Sequence, residues 1–356
     1  MEPIRVLVVD DSAFMRKMIS DILNSDSRLH VVATARNGRE ALEKNKQLSP
    51  HVITLDIEMP VLNGIETLKQ VMKENPVPVV MLSSLTKQGA DSTLEAMSLG
   101  AVDFIAKPSG SISLDIKKVE KEIINKVIEA AGTKAQAGKA FTSRKDIQVP
   151  KLVNLPGKHE LKRVVAIGTS TGGPKALHEV LTQLPENFPA PIVVVQHMPP
   201  NFTKSLANRL DSLSQIHIKE AENGEVLQNG TAYIAPGGFQ FRVRQVGRSL
   251  AAHVTDEDPV RGHRPSVDIM FESLAEQQLF QIVALVMTGM GADGSAGISK
   301  MKEVKNDTIV IAESKQTSVV YGMPLAAVNT GKVDYIENLE NISGTLVQQL
   351  LRHGGN

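Results

Sequence analysis

The sequence predicts two α/β domains in tandem: an N-terminal five-stranded parallel doubly wound domain and a C-terminal, mostly parallel α/β domain with a β-hairpin insertion. Three observations carry that expectation. Short β-branched runs alternate with segments of helical period from Ile4 to about Ala130. The same alternation resumes at Arg163. Between them, residues 131–160 carry three Gly and two Pro with no sustained period, and read as a linker. The boundaries are therefore 1–130, 131–160 and 161–356, and 356 residues suit two domains of ~100–200 residues each.

In chain order, the first domain offers the strands IRVLVV (4–9), HVVATA (30–35), VITL (52–55), VPVVML (77–82) and VDFIA (102–106). Helical segments separate them; Phe14, Met18, Ile22 and Leu23 in the first recur at helical spacing, so the strands run parallel. The second domain offers RVVAIG from Arg163, PIVVVQ (191–196), QIVALVMT (281–288) and TIVIAE (308–313). TAYIAPGGFQFRVR (231–244) and SLAAHVT (249–255) read instead as antiparallel hairpins, with Pro236-Gly237-Gly238 as a turn. Ser266 is placed to cap a helix after the charged stretch HVTDEDPVRGHRPSVD (253–268), which either borders a cleft or is a solvated loop.

Composition excludes several function classes. Lys plus Arg and Asp plus Glu both total 39, so no global field favours nucleic acid or an anionic membrane. The basic excess is confined to 131–160, six against two, spread among Gly, Ala and Pro in the manner of a solvated linker. With no cysteine there is no disulfide, catalytic thiolate or Cys-ligated metal. The start MEPIRVLVVDD has no basic prelude and no apolar run approaches ~18 residues, so a cytoplasmic chain without membrane insertion is expected. Twelve aromatics and no Trp leave few interface anchors, which makes a monomer the default.

Ligands of an open parallel sheet bind beyond the carboxyl ends of its strands. In the first domain those ends carry Asp10 and Asp11, Asp56, Ser83 and Ser84, and Lys107-Pro108. Crowded carboxylates repel one another unless a cation neutralises them, and oxygen ligands that leave room for water suit Mg²⁺. Lys107 would complete the charge balance, and an Asp nucleophile, here Asp56, can accept a phosphoryl group as an acyl phosphate. Taken alone, Asp10 and Asp11 would equally serve as caps of the following helix. The set VLVVDDSAFMR, LDIEMPVLNG and AKPSG resembles the receiver domains of two-component response regulators over about residues 3–125. That resemblance implies Asp56 as phosphoacceptor and Asp10, Asp11 and Asp56, with the backbone carbonyl of Glu58, as metal ligands. It also implies Ser83 and Phe104 as the hydroxyl and aromatic switch positions, and Lys107 as the phosphate contact. Ser stands at 83 where Thr is commoner, which keeps the hydroxyl.

In the second domain RVVAIGTSTGGPKALHEVL runs from a strand through Gly168-Thr169-Ser170-Thr171-Gly172 into a helix near Pro174. This is G-x-S-x-G in strand-turn-helix context, a nucleophile turn with helix amides aimed at a developing oxyanion. A phosphate-binding turn is the alternative, but the glycines do not match G-x-G-x-x-G and no Walker loop is present. A serine nucleophile needs a histidine base oriented by a carboxylate. His197, directly after PIVVVQ, and Asp293, in the Gly-rich MTGMGADG, each follow a different strand of one sheet; His263 is the reserve base, and His178 reads as surface. No His cluster suggests a metal-dependent esterase, so hydrolysis needs no cofactor.

The order Ser170, His197, Asp293 differs from that of α/β-hydrolases. With GTSTGGP, VVVQHMP and MTGMGADG it is similar instead to the chemotaxis protein-glutamate methylesterases, the CheB family, over about residues 161–350. The resemblance implies Ser170 as nucleophile, His197 as base and then acid, Asp293 as orienting carboxylate, and the amides of Thr171 and Met290 near the oxyanion. It further implies demethylation of glutamate methyl esters on the cytoplasmic region of chemoreceptors, deamidation of receptor glutamines in part of the family, and a chemotaxis histidine kinase as phosphodonor. Control is expected through a receiver that blocks the active-site edge until Asp56 is phosphorylated. Two rivals are a catalytically dead binding protein and a DNA-binding regulator; the neutral second domain and missing helix-turn-helix disfavour the latter.

Overall fold

The computed structural model describes residues 2–107, 116–133 and 162–351. The chain divides into two compact units, Met1–Thr142 and Ser143–Asn356. Nearly all of the expected linker, from 134 to 161, lies outside the described residues.

The first unit runs β1 (Ile4–Val9), α1 (Ala13–Asn24), β2 (Leu29–Ala35), α2 (Gly38–Leu48), β3 (Val52–Asp56), α3 (Gly64–Glu74), β4 (Val79–Ser83), α4 (Lys87–Leu99), β5 (Asp103–Ala106) and α5 (Ile116–Ala131). Its sheet order is β2-β1-β3-β4-β5, every pair parallel. The central strands β3 and β4 are buried throughout, which is why they read as unbroken apolar runs. Ser12, Asn37, Asn63 and Thr86 start α1 to α4, each side chain accepting from an amide of the first turn. The expected five strands are present. One detail differs: α1 buries Ile19 and Leu23, whereas Phe14, in its first turn, stays exposed.

The second unit continues β6 (Lys162–Thr169), α6 (Gly173–Leu181), β7 (Ile192–Gln196), α7 (Phe202–Asp211), β8 (His217–Glu220), β9 (Thr231–Ile234), β10 (Gln240–Val246), β11 (Ser249–Thr255), α8 (Val267–Ala275), β12 (Phe280–Val286), α9 (Ser295–Val304), β13 (Ile309–Glu313), α10 (Met323–Asn329), β14 (Tyr335–Glu337) and α11 (Leu339–Leu351). Seven strands form one parallel sheet, β14-β13-β12-β6-β7-β9-β8. The hairpin β10-β11 is antiparallel, and its inner residues Phe241, Val243, Leu250 and Ala252 share a core with Val267, Met270 and Phe271 of α8.

The reading of TAYI as a hairpin strand is corrected: β9 pairs parallel with β7 and β8 inside the main sheet, buried on both faces. Pro236-Gly237-Gly238 therefore leads from one sheet to the other, and the hairpin closes at Gly247, whose φ is +60°. The edge strands β8 and β14 were not foreseen, being only 4 and 3 residues long. Parallel packing brings the ends of β6, β7, β12 and β13 to one edge, where the functional side chains gather.

Candidate active site and phosphorylation site

Strands β6 and β7 are neighbours in register, Thr169 opposite Gln196, so the residues that follow them, Ser170 and His197, emerge side by side. The His197 amide bonds the Thr169 carbonyl at 3.2 Å, and Gln196 Nε2 reaches the carbonyls of Ser170 (3.0 Å) and His197 (3.2 Å). The positive φ of the turn sits on Gly172 (+78°), whereas Ser170 itself is not in the left-handed region. The glycine two residues after the serine thus carries the bend of the turn. Gly289 packs against the serine so closely that a Cβ there would lie 2.8 Å from Ser170 Cβ.

His197 Nε2 is 2.8 Å from Asp293 Oδ2. The other ring nitrogen, Nδ1, is buried and makes no hydrogen bond among the described residues, so Ser170 Oγ is not bonded to it in this structure. Asp293 accepts three further bonds, from Ser266 Oγ (2.9 Å) and the amides of Val267 (2.7 Å) and Asp268 (3.0 Å) at the start of α8. Burial opposes its ionisation, but His197 and these donors outweigh burial and hold the carboxyl well below the usual range. Asp268 returns the favour, accepting from the amides of Gly294 and Gly297, both 2.8 Å, at the start of α9. Burial pushes Asp268 up to about 6, against those amides.

His263 does not take the base position. Its ring lies flat on that of His197, centroids 3.9 Å apart and 7° from parallel, and burial with the nearby His197 charge lowers its pKa to about 4. The loop 253–268 therefore borders the site. Thr171 lies buried at the start of the α6 turn with its carbonyl held by Thr288 Oγ1 at 2.8 Å, and the Met290 amide donates to no group among the described residues. His178 is half-buried rather than on the surface; burial, with the Arg209 charge, lowers its pKa to about 4.

In the first unit Asp10, Asp11 and Asp56 each place a carboxylate oxygen within 4.8 Å of the others. Lys107 Nζ stands 2.8 Å from Asp56 Oδ1 and 3.0 Å from Asp10 Oδ2, the latter without hydrogen-bond alignment. Burial works against the Lys107 ammonium, but Asp56 and Asp10 prevail and raise its pKa. Burial lifts Asp56 to about 6 in spite of Lys107. Asp56 Oδ2 is buried with no hydrogen-bond partner among the described residues, and such an oxygen beside two further carboxylates fits a hard divalent cation. Glu58 donates its amide to Asp56 Oδ1 at 3.3 Å. Ser83 Oγ donates to the Gly89 carbonyl of α4 at 3.1 Å. Phe104 is buried on β5, its carbonyl held by Lys126 Nζ at 2.6 Å.

Ser170, His197 and Asp293 are thus gathered as the strand-end reasoning anticipated, as are the acidic residues and Lys107. The α8 donors to Asp293 and the stacked His263 were missed. The one available signal was Ser266 before a helix, whose hydroxyl caps no amide but goes to Asp293.

Comparison with known proteins finds relatives of both units. A family model for CheB methylesterase matches residues 165–346, and one for the response regulator receiver domain matches residues 6–117. A protein-glutamate methylesterase/protein-glutamine glutaminase of Geobacillus kaustophilus is 56% identical over 98% of this chain and 99% of its own. A protein of the same name from Bacillus subtilis is 46% identical over 96% and 97%. The crystal structure of the Thermotoga maritima CheB methylesterase catalytic domain, 44% identical, covers 53% of this chain and 98% of its own with a TM-score of 0.51. With one domain of each kind in this order, the chain belongs to the CheB methylesterase family.

Proposed function

We propose that this chain is a phosphorylation-activated serine esterase that hydrolyses glutamate methyl esters on chemoreceptors, releasing methanol, and that also deamidates receptor glutamines. The observation that carries the chemistry is the state of the His197 ring: Nε2 is engaged by an ionised, amide-held carboxylate, and the buried Nδ1 makes no hydrogen bond among the described residues and is left to accept a proton, while Ser170 follows the neighbouring strand. Ser170 Oγ adds to the ester carbonyl as His197 Nδ1 takes its proton; Asp293 stays ionised and stabilises the imidazolium through Nε2–H. The oxyanion forms at the Met290 and Thr171 amides beside the N-terminus of α6. His197 gives the proton to the departing methoxide oxygen, and the acyl-enzyme is then opened by water, whose proton passes through His197 back to Ser170. A glutamine side chain passes through an analogous tetrahedral species, whose nitrogen takes the His197 proton and leaves as ammonia, to the same acyl-enzyme, which agrees with the double activity in the relatives' names.

Control falls to the receiver. Asp56 takes a phosphoryl group from a chemotaxis histidine kinase as an acyl phosphate, with Lys107 beside it to hold the added charge. Asp10, Asp11 and Asp56, with the Glu58 carbonyl, would hold Mg²⁺, whose contribution when bound is to neutralise charge during transfer. For its hydroxyl to reach the phosphoryl group, Ser83 must release Gly89, which links the modification to the start of α4. Among the described residues no helix is long and apolar enough to cross a membrane; the reading places the enzyme in the cytoplasm, acting as a monomer.

The test is methanol release from methylated receptor membranes by wild type, Ser170→Ala and Asp56→Ala, with and without Mg²⁺ and a small acyl phosphate donor. Release should rise with the donor, vanish in Ser170→Ala and lose donor dependence in Asp56→Ala. Continued release by Ser170→Ala would overturn the serine mechanism.

A further inference from the structure

Glu313, at the end of β13, is wholly buried and lies behind the serine turn. The β12-β13 ladder ends at Val286 opposite Ala312, so the amide of Thr288 has lost its sheet partner. The Glu313 carboxylate takes over there: Oε2 accepts from the Thr288 amide at 2.8 Å, while Oε1 accepts from Thr317 Oγ1 at 3.0 Å. Thr288 in turn holds the nucleophile turn. Its carbonyl accepts the Ser170 amide at 3.0 Å and Thr169 Oγ1 at 2.8 Å, and its hydroxyl donates to the Thr171 carbonyl at 2.8 Å. The segment after Glu313 grips the next residue as well, with Gly289 N on the Val320 carbonyl (3.0 Å) and the amides of Gly322 (3.1 Å) and Met323 (2.7 Å) on the Gly289 carbonyl.

We infer that Glu313 is a positioning residue of the esterase, which, acting through Thr288, fixes the backbone that carries Ser170 and presents the Gly289–Met290 stretch to it. The inference rests on the reading of Ser170 as nucleophile. A buried carboxyl is an expensive way to satisfy one amide, since an apolar strand end with a shifted loop would avoid the desolvation. What the carboxyl adds is a two-oxygen acceptor that orients one donor against another, and so fixes the backbone at Thr288, whose carbonyl holds Thr169 and Ser170 and whose hydroxyl holds Thr171.

The experiment uses the full chain with the donor present and follows kcat and KM for methanol release, with the folded fraction from circular dichroism. Glu313→Leu should lower kcat roughly 10- to 100-fold with KM within about threefold, the pattern of lost transition-state positioning. Glu313→Gln should stay within about threefold of wild type, because its amide oxygen can accept from Thr288 and its NH₂ can donate to Thr317. Thr317→Ala, which frees the carboxyl to swing and also removes the acceptor of the Leu339 amide, should lower kcat several-fold. Folded Glu313→Leu turning over within twofold of wild type, or losing activity only in proportion to its folded fraction, overturns the inference. If Glu313→Leu does not fold, Thr317→Ala decides, and an unchanged kcat overturns it. Ser170→Ala run alongside separates the two failures: its continued activity sinks the nucleophile reading whatever the Glu313 variants do.

Discussion

Replacing Asp293 with Asn changes one oxygen to NH₂ and nothing in size, yet the site has no place for that group. Oδ2 faces His197 Nε2 and the Val267 amide; Oδ1 faces Ser266 Oγ and the Asp268 amide. Whichever way the amide is turned, its NH₂ faces one backbone amide that is left without an acceptor and one group, His197 or Ser266, that must reverse its role, so two bonds to a charged acceptor are lost or replaced at about 1.5–3 kcal/mol each. The expected cost is about 3–5 kcal/mol, or roughly 10 °C in the unfolding transition of a domain of this size. Activity falls further. With NH₂ towards the histidine, Nε2 must accept, the ring proton moves to Nδ1, and the nitrogen meant to receive the Ser170 proton is blocked. With NH₂ towards Ser266, His197 keeps its tautomer but loses the charge that stabilises its imidazolium. On either path we expect kcat for methanol release to fall about 10³- to 10⁴-fold, with KM little changed. The assay is donor-activated release from methylated receptor membranes at a temperature where circular dichroism shows the variant folded. A folded Asp293→Asn enzyme within tenfold of wild type would refute the claim that this carboxylate sets the histidine.

Three further outcomes follow from the same geometry. Asp56→Asn, and separately chelation of divalent cations in the wild type, should each abolish the donor-dependent rise in methanol release; a persistent rise in Asp56→Asn would place the phosphorylation elsewhere. Gly289→Ala should cost about 1–3 kcal/mol of stability and at least tenfold in kcat, because the new Cβ would lie 2.3 Å from Met323 Sδ and 2.8 Å from Ser170 Cβ; full activity would show that the two strands can part freely. Burial, with the charge of Glu340, pushes Glu313 up to about 7 from 4.5, so the folded chain keeps a proton that the unfolded chain releases. Stability should therefore decline as pH rises from about 4.5 to about 7 and stay lower above, by at most about 3 kcal/mol. Glu313→Gln should flatten that decline in melts at pH 5 and pH 8, and an unaltered slope would reject the assignment.

Residues that follow parallel strands were legible because β periodicity locates the strand and the sheet brings its end to a known edge. Asp10, Asp56 and Lys107 on one sheet, and Ser170, His197 and Asp293 on the other, needed no side-chain geometry to be placed together. The residues that hold Asp293 obeyed no such rule. Two of its donors are the bare amides of Val267 and Asp268, and a backbone amide leaves no mark on a sequence. Ser266 had a local reading as a cap, and the structure spends its hydroxyl on a carboxylate 27 residues away instead. Glu313 was hidden as the final letter of an apolar strand, and His263 stood in a charged loop whose docking no periodicity reports. TAYI misled for a related reason: four residues buried on both faces carry no alternation to separate a hairpin arm from a central parallel strand.

The two sheets solve opposite electrostatic problems with the same topology. In the receiver, three carboxylates converge with one ammonium, and Asp56 is left with a buried, unpartnered oxygen and a pKa raised to about 6. That site is held short of neutralisation, which suits the role proposed for Asp56, taking on a cation and then a phosphoryl group. In the esterase the carboxylate is saturated: Asp293 has four donors, two of them amides at a helix start, and stays ionised without a metal. In the proposed mechanism the base-orienting carboxylate has to keep its charge constant while His197 gains and loses a proton, a task that fixed dipoles serve better than an exchangeable ion. The difference follows from what succeeds each strand end. In the receiver Asp10 and Asp56 are buried, and the loop after β3 gives Asp56 one amide donor, that of Glu58. In the esterase the start of α8 docks against Asp293 while Asp268 pins the start of α9 in return, so neither helix can shift without loosening the other's carboxylate. Substitutions at Asp268 should accordingly disturb catalysis through Asp293, although Asp268 never touches His197.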